Sequence, residues 1–355
     1  MEHIYSIQES MKKAGLSALL LTDPISCRYA TGFSYTDGAL LIGPDTAWLL
    51  TDSRYIEAAT AQVHSAEVLR FTNSLPLKKL AAQLAEGLEK DAFGAEENRM
   101  SCAEWFAWEE ALGCKFKPCG TLLTDLRAVK DEDEVKNLIA AQRISEKALA
   151  ELIEHIHPGR TEREISAELT YLMLLNGGEQ IGLDPIAVTG ERTSLPHGVA
   201  GDKVLAKGDF FTVDFGTKFN GYCSDTTRTF AIGYADEQMR EVYAVVLKAQ
   251  LAGIAAARAG IKGHDLDAVA RKVIEDAGYG EFFGHSLGHS LGLEIHENPG
   301  ARPNCNVLLP KGLAVSIEPG IYLPGRFGVR IEDVVILREN GCEDIALAPK
   351  ELMIL

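Results

Sequence analysis

The sequence predicts an α/β amino-terminal domain, with a mixed sheet and helices, followed by a strand-rich α+β domain. Three observations lead to this fold class. Strand patterns alternate with helical patterns through residues 1–124, residues 125–355 carry two hairpin patterns among long helical ones, and 46% of the 355 residues are hydrophobic. A chain of this length and composition can bury two separate cores.

The amino-terminal domain is predicted to begin with a helix and then to alternate strands with helices. Ser101 and Glu104 form a capping-box pattern, which predicts a helix toward Leu112. The dipeptide Asp23-Pro24 predicts a turn after the first strand. Helices are expected at 4–14, 55–61 and 77–88, and strands at 18–21, 39–42, 47–50, 66–71 and 92–95.

The second domain is predicted to open with two long helices. The charged run 130–134 fits a helix start, because Asp131 can cap and acidic residues favour the first turn. Thr161 and Glu164 form another capping-box pattern, and Gly177-Gly178 follows as a stop. These helices should end near 155 and 176, and two further helices are expected at 237–259 and 266–277.

The stretch 209–232 predicts a hairpin that carries two acids. Apolar and polar residues alternate in its first half, and Asn220-Gly221 is a favoured turn dipeptide. A hairpin centred between residues 219 and 220 would place Asp214 directly opposite Asp225. A strict two-residue loop would make them diagonal neighbours on one face, and a one-residue slip would turn one acid to solvent. Facing acids repel, so a shared proton or a cation would have to lie between them.

A second pair of acids, Glu318 and Glu332, has the spacing of another hairpin. Glu318 lies in a strand interrupted by Pro319-Gly320, Glu332 lies in an alternating strand from Val329 to Leu337, and their midpoint is Gly325. Four buried acids need protons or metal ions. Oxygen ligands favour Mg or Mn, and an added imidazole extends the choice to Fe, Co or Zn.

Imidazoles are available in the segment GHSLGHSLGLEIHE, which contains His285, His289 and His296. Any one of them could instead be a hydrogen-bonded structural histidine. The same segment contains two overlapping G-x-S-x-G strings, the pattern of a serine-hydrolase nucleophile. Such a site needs a later histidine, and none follows His296, so this alternative is disfavoured.

Composition excludes some functions. A net charge of -16 argues against a nucleic-acid partner, which requires clustered basic residues. No apolar run approaches the length of a membrane span, and the start MEHIYSIQES lacks the features of a signal peptide, so a cytoplasmic location is expected. The seven scattered cysteines fit reduced thiols.

The segments that hold these residues resemble those of the pita-bread metallopeptidases, in the branch of Xaa-Pro aminopeptidases and Xaa-Pro dipeptidases (prolidases). The resemblance assigns residues 1–124 to a creatinase-like domain and residues 125–355 to a pita-bread catalytic domain. It is carried by TVDFGTKFNGYCSDTTRTF, GHSLGLEIHE, SIEPGIY, GVRIEDVV and SLPHG in the second domain, and by RYATGF and TDSRY in the first.

This resemblance implies a centre of two divalent metal ions. Asp225 and Glu332 would bridge them, Asp214 would complete one ion, and His289 with Glu318 would complete the other. Mn is the expected metal, with Co, Fe or Zn as alternatives.

The resemblance also implies hydrolysis of the peptide bond before a proline at the second position of a peptide. Glu318 would transfer the proton of the attacking water, and His296 would hydrogen-bond the scissile carbonyl. His197 would orient the proline side, Arg330 would bind acidic groups, and His285 would support the centre without being a ligand. A homodimer is implied, with no nucleic-acid or membrane partner.

One position departs from the family pattern. Many dipeptidases of this branch carry an arginine directly after the H-E-x-P string, where this chain has Gly300, and the nearest arginine is Arg302. The sequence therefore favours aminopeptidase activity over strict dipeptidase activity on the same site. Alternatives are a non-enzymatic binding module, a creatine hydrolase, which would lack part of the ligand set, and a methionine aminopeptidase, which the long amino-terminal domain disfavours.

Overall fold

The structure, a computed structural model, describes residues 3–355. The chain divides into two compact units, of which the first ends at Arg127 and the second is Ala128–Leu355. The boundary expected between residues 124 and 125 lies inside a helix, Gly120–Ala128.

The first unit is built on one six-stranded mixed sheet with the order β4-β3-β2-β1-β5-β6. Strand β1 pairs antiparallel with β2 and parallel with β5, which confirms the mixed sheet. The strands are β1 (Ala18–Leu21), β2 (Gly38–Ile42), β3 (Ala47–Thr51), β4 (Glu67–Arg70), β5 (Phe93–Ala95) and β6 (Phe116–Pro118). The helices are α1 (Ile4–Lys13), α2 (Pro24–Thr31), α3 (Ile56–Gln62), α4 (Leu77–Leu84), α5 (Cys102–Leu112) and α6 (Gly120–Ala128).

Helix α2 occupies a position where the sequence predicted a turn. The backbone amides of Ile25 and Ser26 donate to Asp23 Oδ2 at 3.1 and 2.9 Å, so Asp23 caps the helix. Pro24 takes the first helical position, where its missing N–H has no intrahelical partner to lose. The turn prediction is therefore wrong, and the same two residues start a helix.

The second unit combines four helices with short, mainly antiparallel strands. The helices are α7 (Glu132–Ile153), α8 (Glu162–Leu175), α9 (Glu237–Ala256) and α10 (Gly263–Asp276). The strands are β7 (Gln180–Ile181), β8 (Ile186–Thr189), β9 (Phe210–Phe215), β10 (Thr217–Phe219), β11 (Tyr222–Cys223), β12 (Thr226–Ala231), β13 (Gly288–Ser290), β14 (Glu297–Ala301), β15 (Ala314–Ile317), β16 (Gly320–Leu323), β17 (Phe327–Arg330), β18 (Asp333–Arg338) and β19 (Gly341–Asp344).

Two hydrophobic cores divide this second unit into two α–β halves. One core packs the apolar faces of α7 and α8 against β8, β9 and β12. The other packs α9 and α10 against the sheet β14-β13-β15-β18-β19 and the β16–β17 hairpin. The predicted capping box of Thr161 and Glu164 is present at the start of α8, and that of Ser101 and Glu104 is present at the start of α5 in the first unit. Asp131 caps α7, as predicted. The observed elements agree with the predicted α+β class.

The first acid hairpin has the register of a two-residue loop. Asn220 and Gly221 have φ angles of 45° and 79°, and both lie in the left-handed region that such a turn requires. Strands β9 and β12 then pair Asp214 with Thr227, not with Asp225. Direct opposition of the two acids is therefore wrong, and the alternative with diagonal neighbours is correct.

The second acid hairpin is centred on Gly325, as predicted. Gly320 pairs with Arg330, and Ile317 pairs with Asp333, so both ladders share one register. The expected continuous strand from Val329 to Leu337 is wrong, because the chain leaves one sheet and enters another at residues 331–332.

The acids Glu318 and Glu332 lie at this break between the two ladders. The Glu318 amide donates to Leu287 O at 2.8 Å, and the Glu332 amide donates to Thr227 O at 3.2 Å. These backbone amides therefore bond to other segments of the unit. The bonds fix the backbone position from which each carboxylate side chain extends.

The seven cysteines are free thiols, as the sequence predicted. Among residues 3–355, the helices are too short or too polar to cross a lipid bilayer.

Candidate metal centre

A cavity of about 960 Å³ in the second unit gathers the predicted site residues. The two acid hairpins contribute to its lining from different sheets, and the histidine segment contributes a third part. The predicted residues that line it are Asp214, Asp225, His289, Glu318, Glu332, His197, His296, Arg330 and His285. Residues that are far apart in sequence thus share one cavity.

The closest group of possible ligands is formed by Asp225, His289 and Glu332. One ligand atom from each residue lies within 4.8 Å of the others. His289 Nε2 is 3.4 Å from Asp225 Oδ2 and 3.6 Å from Glu318 Oε1. These separations are longer than ordinary hydrogen bonds and suit atoms that share a cation.

Among the described residues that line the cavity, two buried carboxylate oxygens have no hydrogen-bond partner. They are Asp214 Oδ1 and Glu332 Oε1. The second oxygen of each acid is engaged, since Arg330 Nη2 donates to Asp214 Oδ2 at 2.7 Å and the Thr227 hydroxyl donates to Glu332 Oε2 at 2.7 Å. Leaving buried oxygens unpaired is costly, so both fit the role of metal ligands.

The pKa shifts of the acids show that this centre favours added positive charge. Burial, reinforced by neighbouring acids, raises the pKa of Asp225 and raises that of Glu332 well above its usual range. Burial also raises the pKa of Glu318 to about 7. Burial disfavours the charged form of His289, but Asp225 and Glu318 outweigh it and raise the His289 pKa to about 9. Raised pKa values favour the protonated acids, and divalent metal ions would compete with those protons.

A chain of hydrogen bonds holds Arg330 against the acids. Its Nε donates to the Thr227 hydroxyl at 3.0 Å, and its Nη1 donates to the Tyr322 hydroxyl at 3.0 Å. The Tyr322 hydroxyl lies 2.8 Å from His285 Nε2. Burial lowers the pKa of His285 to about 4, so His285 is neutral and its Nε2 can accept a hydrogen bond from the Tyr322 hydroxyl. The guanidinium of Arg330 therefore has a fixed orientation toward Asp214.

His296 and His197 lie at the exposed side of the cavity. The rings of His289 and His296 pack edge to face, with centroids 4.4 Å apart. Burial lowers the pKa of His296, and the nearby His289 lowers it further. A neutral imidazole can donate one hydrogen bond to a substrate oxygen without requiring a counter-charge.

The loop 189–201, which carries His197, is held by one buried carboxylate. Glu162 accepts hydrogen bonds from the backbone amides of Thr189 and Gly201, both at 2.9 Å. The same carboxylate accepts from Arg192 Nε at 3.0 Å, and Arg192 also donates to Val199 O. Glu162 thus fixes both ends of the loop, and Arg192 fixes its middle.

Sequence reasoning missed several residues that support the centre. Thr227, Tyr322 and Glu162 bond to the site or its loops, and Arg228 donates to the carbonyl oxygen of Glu332 at 2.6 Å. Thr227 could have been suspected, because it follows Asp225 by two positions and so shares its strand face. The other contacts join distant segments and leave no periodic signal.

Two acid hairpins, one imidazole and unpaired buried oxygens define a hydrolase-type centre able to hold divalent metal ions. Residues 136–339 match metallopeptidase family M24, and residues 3–129 match the creatinase/prolidase N-terminal domain. The protein belongs to metallopeptidase family M24 and is a hydrolase, and this family implies bound divalent metal ions.

Relatives and solved structures of this family are similar along the whole chain. An Xaa-Pro dipeptidase from Bacillus anthracis has a TM-score of 0.94 at 41% identity, covering 99% of both chains. An X-Pro aminopeptidase from Thermotoga maritima MSB8 has a TM-score of 0.93 at 37% identity, covering 98% of this chain and 100% of that one. An Xaa-Pro dipeptidase from Pyrococcus furiosus is 34% identical over 357 residues, 99% of both sequences. The predicted family resemblance and fold class are confirmed.

Proposed function

We propose that this protein is an Xaa-Pro aminopeptidase, which hydrolyses the bond between an amino-terminal residue and proline in peptides longer than two residues. The observation that carries the metal part is the pair of unpaired, buried oxygens on Asp214 and Glu332. The names of the similar proteins support the Xaa-Pro class and include both dipeptidases and an aminopeptidase. The preference for longer peptides rests on Gly300.

The residues present fit a centre of two divalent ions, with Mn as the expected metal and Co, Fe or Zn as alternatives. Asp225 and Glu332 would bridge the ions, Asp214 would bind one, and His289 with Glu318 would bind the other. Bound metal ions would supply Lewis-acid chemistry and lower the pKa of water in the site.

The protein's own groups would handle the protons and the substrate. Glu318 would accept the proton of the attacking water and deliver it to the proline nitrogen. His296 would donate a hydrogen bond to the scissile carbonyl oxygen as its negative charge develops. His197 would contact the proline side, and Arg330 would keep Asp214 ionised and oriented.

Gly300 supports a substrate that extends beyond proline. Its Cβ position would lie 2.9 Å from Gly288 O and 3.3 Å from His289 Cα, so a side chain there would press against the metal-ligand segment. Arg302 is exposed and is not among the described residues that line the cavity. The site therefore lacks the guanidinium that many dipeptidases of this branch place after the H-E-x-P string.

A comparison of two substrates tests the peptide length. The Mn-loaded enzyme should hydrolyse a Xaa-Pro-Xaa tripeptide at least as fast as the matching Xaa-Pro dipeptide under the same conditions, because Gly300 provides no partner for a dipeptide's free carboxylate. Initial rates of free amino-acid release give the answer. Hydrolysis of the dipeptide alone would establish the alternative, an Xaa-Pro dipeptidase on the same site.

Metal content and one substitution test the centre itself. After reconstitution with Mn, elemental analysis should find two ions per chain, and Asp225→Asn should lose activity while keeping the circular dichroism of the parent. Less than one bound ion in the parent would contradict the dinuclear centre and favour a non-enzymatic binding module. Continued turnover by Asp225→Asn would show that the ligand assignment is wrong.

The proposal includes a homodimer in the cytoplasm that binds neither nucleic acid nor membranes. The net charge of -16 supports the lack of a nucleic-acid partner. Light scattering after size-exclusion chromatography measures the oligomeric state, and a monomer at micromolar concentration would refute the dimer.

A further inference from the structure

We propose that Arg163 binds the free carboxyl terminus of the peptide substrate, so that the enzyme prefers short peptides that end a few residues beyond proline. This inference rests on the proposed function, because it names the part of the substrate that lies beyond the scissile bond. It adds a specificity residue on α8, outside the acid hairpins and the histidine segment.

Helix α8 contributes one wall of the metal-containing cavity. The residues that line it are Arg163, Ser166, Ala167 and Thr170, a spacing that places them on one helical face. The opposite face of α8 is buried in the core through Ile165, Leu169, Leu172 and Met173. The three small residues leave room for a peptide along this wall, and Arg163 provides its positive charge.

One guanidinium in the cavity can receive a new anion without breaking a buried hydrogen bond. Among the described residues that line it, the two arginines are Arg163 and Arg330, and there is no lysine. Arg330 already donates to Asp214, Thr227 and Tyr322. Recruiting Arg330 would break bonds that hold the metal ligands, so Arg163 is the cation that a peptide carboxylate can reach without disturbing the centre.

The present partner of Arg163 is easily exchanged. Arg163 Nε lies 3.0 Å from Asp202 Oδ1, and the two side chains are 65% and 85% exposed. An ion pair this exposed contributes little, because water and salt screen both charges. The Arg163 amide donates to Gly201 O at 2.9 Å, so the start of the side chain is fixed while its end can change partner.

The size of the cavity also suits a peptide that continues past proline. Its volume of about 960 Å³ is at the upper end of the roughly 300–1,000 Å³ that drug-sized ligands occupy. An Xaa-Pro dipeptide has fewer atoms than such ligands and would leave part of the space unfilled. A peptide that continues past proline would fill more of this space, and α8 forms one of its walls.

The test compares free-acid peptides with their carboxyl-terminal amides. Rates would be measured for Ala-Pro-Ala and Ala-Pro-Ala-Ala, each as acid and as amide, with the Mn-loaded enzyme. For at least one length, kcat/KM of the acid should exceed that of the amide by roughly fivefold, the size expected for an exposed ion pair. Arg163→Gln should bring this ratio close to one by lowering kcat/KM of the acid, and Arg163→Lys should keep part of the preference.

Two controls remove acids from the same region. Asp202→Asn removes the competing partner and should keep or raise the acid preference, and Asp184→Asn, at an exposed lining position, should not lower it. An acid-to-amide ratio near one in the parent at both lengths would overturn the inference, as would a preference that Arg163→Gln leaves intact. Failure to hydrolyse any Xaa-Pro peptide would instead refute the proposed function, and the carboxylate-binding role of Arg163 would then be refuted as well.

Discussion

Thr227 connects two functional groups of the centre through a single hydroxyl. It donates to Glu332 Oε2 at 2.7 Å and accepts from Arg330 Nε at 3.0 Å. Because this bond occupies Oε2, the other oxygen of Glu332 is left for a metal ion. Groups that orient metal ligands in this way commonly contribute tenfold or more to metal affinity.

Thr227→Val keeps the shape of the side chain and removes the hydroxyl. We expect metal affinity to fall about 10- to 100-fold, because Glu332 loses the bond that orients it. Calorimetric titration of the metal-free protein with Mn measures this change. Thr229→Val is the matched control, since Thr229 is also buried on β12 but bonds to Arg330 O and Thr212. Equal metal affinity in both variants would contradict the role of Thr227.

The loop 189–201 shows how an element without metal ligands can serve the site. Its ends are fixed by Glu162 and its middle by Arg192. These two residues form an ion pair in which the glutamate is buried. Pro196 O in this loop also accepts from Arg330 Nη1 at 3.2 Å. The position of His197 therefore depends on the charge of Glu162 at the start of α8, a residue far earlier in the chain.

Arg192→Gln is expected to raise KM for an Xaa-Pro tripeptide several-fold while leaving metal content unchanged. The substitution leaves the buried Glu162 charge without its partner, which costs stability and loosens the loop that carries His197. Steady-state kinetics and elemental analysis give the two readings.

Thr161→Ala provides the control for this prediction, because it removes the cap of α8 without touching the loop contacts. It should lower stability by about 1 kcal/mol and leave KM unchanged. A parallel rise of KM in Thr161→Ala would show that the effect is general destabilisation.

Helices and strands with clear sequence patterns could be predicted, but the sheet to which each strand belongs could not. The capping boxes at α5 and α8 and the Asp131 cap of α7 formed as expected, because the cap residues and the helix are neighbours in sequence. The break between β17 and β18 was not visible, since Val329 to Leu337 alternates like one strand. A strand that changes sheets keeps its local pattern, so only its partners reveal the break.

At the scale of the whole molecule, the sequence could predict which residues meet but not what holds them. The nine predicted site residues share one cavity, because each lies in a motif with a recognisable neighbourhood. Arg228 and Glu162 form hydrogen bonds with residues far away in the sequence, and sequence periodicity does not predict such contacts. Buried polar groups of this kind are recognisable only when their partners are known.

Stability in the first unit should depend on pH through Glu96. This side chain is 3% exposed and accepts a hydrogen bond from Ser26 at 2.9 Å. Burial raises the Glu96 pKa from 4.5 to about 7, so the folded state holds a proton that the unfolded state releases. Between pH 4.5 and 7 the folded state binds more protons than the unfolded state, and the free energy of unfolding falls as pH rises.

Glu96→Gln removes this dependence. At pH 8 the variant should be more stable than the parent by up to about 3 kcal/mol, and at pH 4 the two should be similar. Urea unfolding at both pH values measures the difference. A variant that is less stable at pH 8 would show that the Glu96 charge is compensated in the folded state.

Arg228 links the residues around position 348 to the backbone of Glu332. Its buried guanidinium donates to Ala348 O and Pro349 O as well as to the carbonyl oxygen of Glu332. A ribosome makes residues 348–349 after every candidate metal ligand. We therefore expect the centre to reach its final arrangement only after this segment has joined the fold.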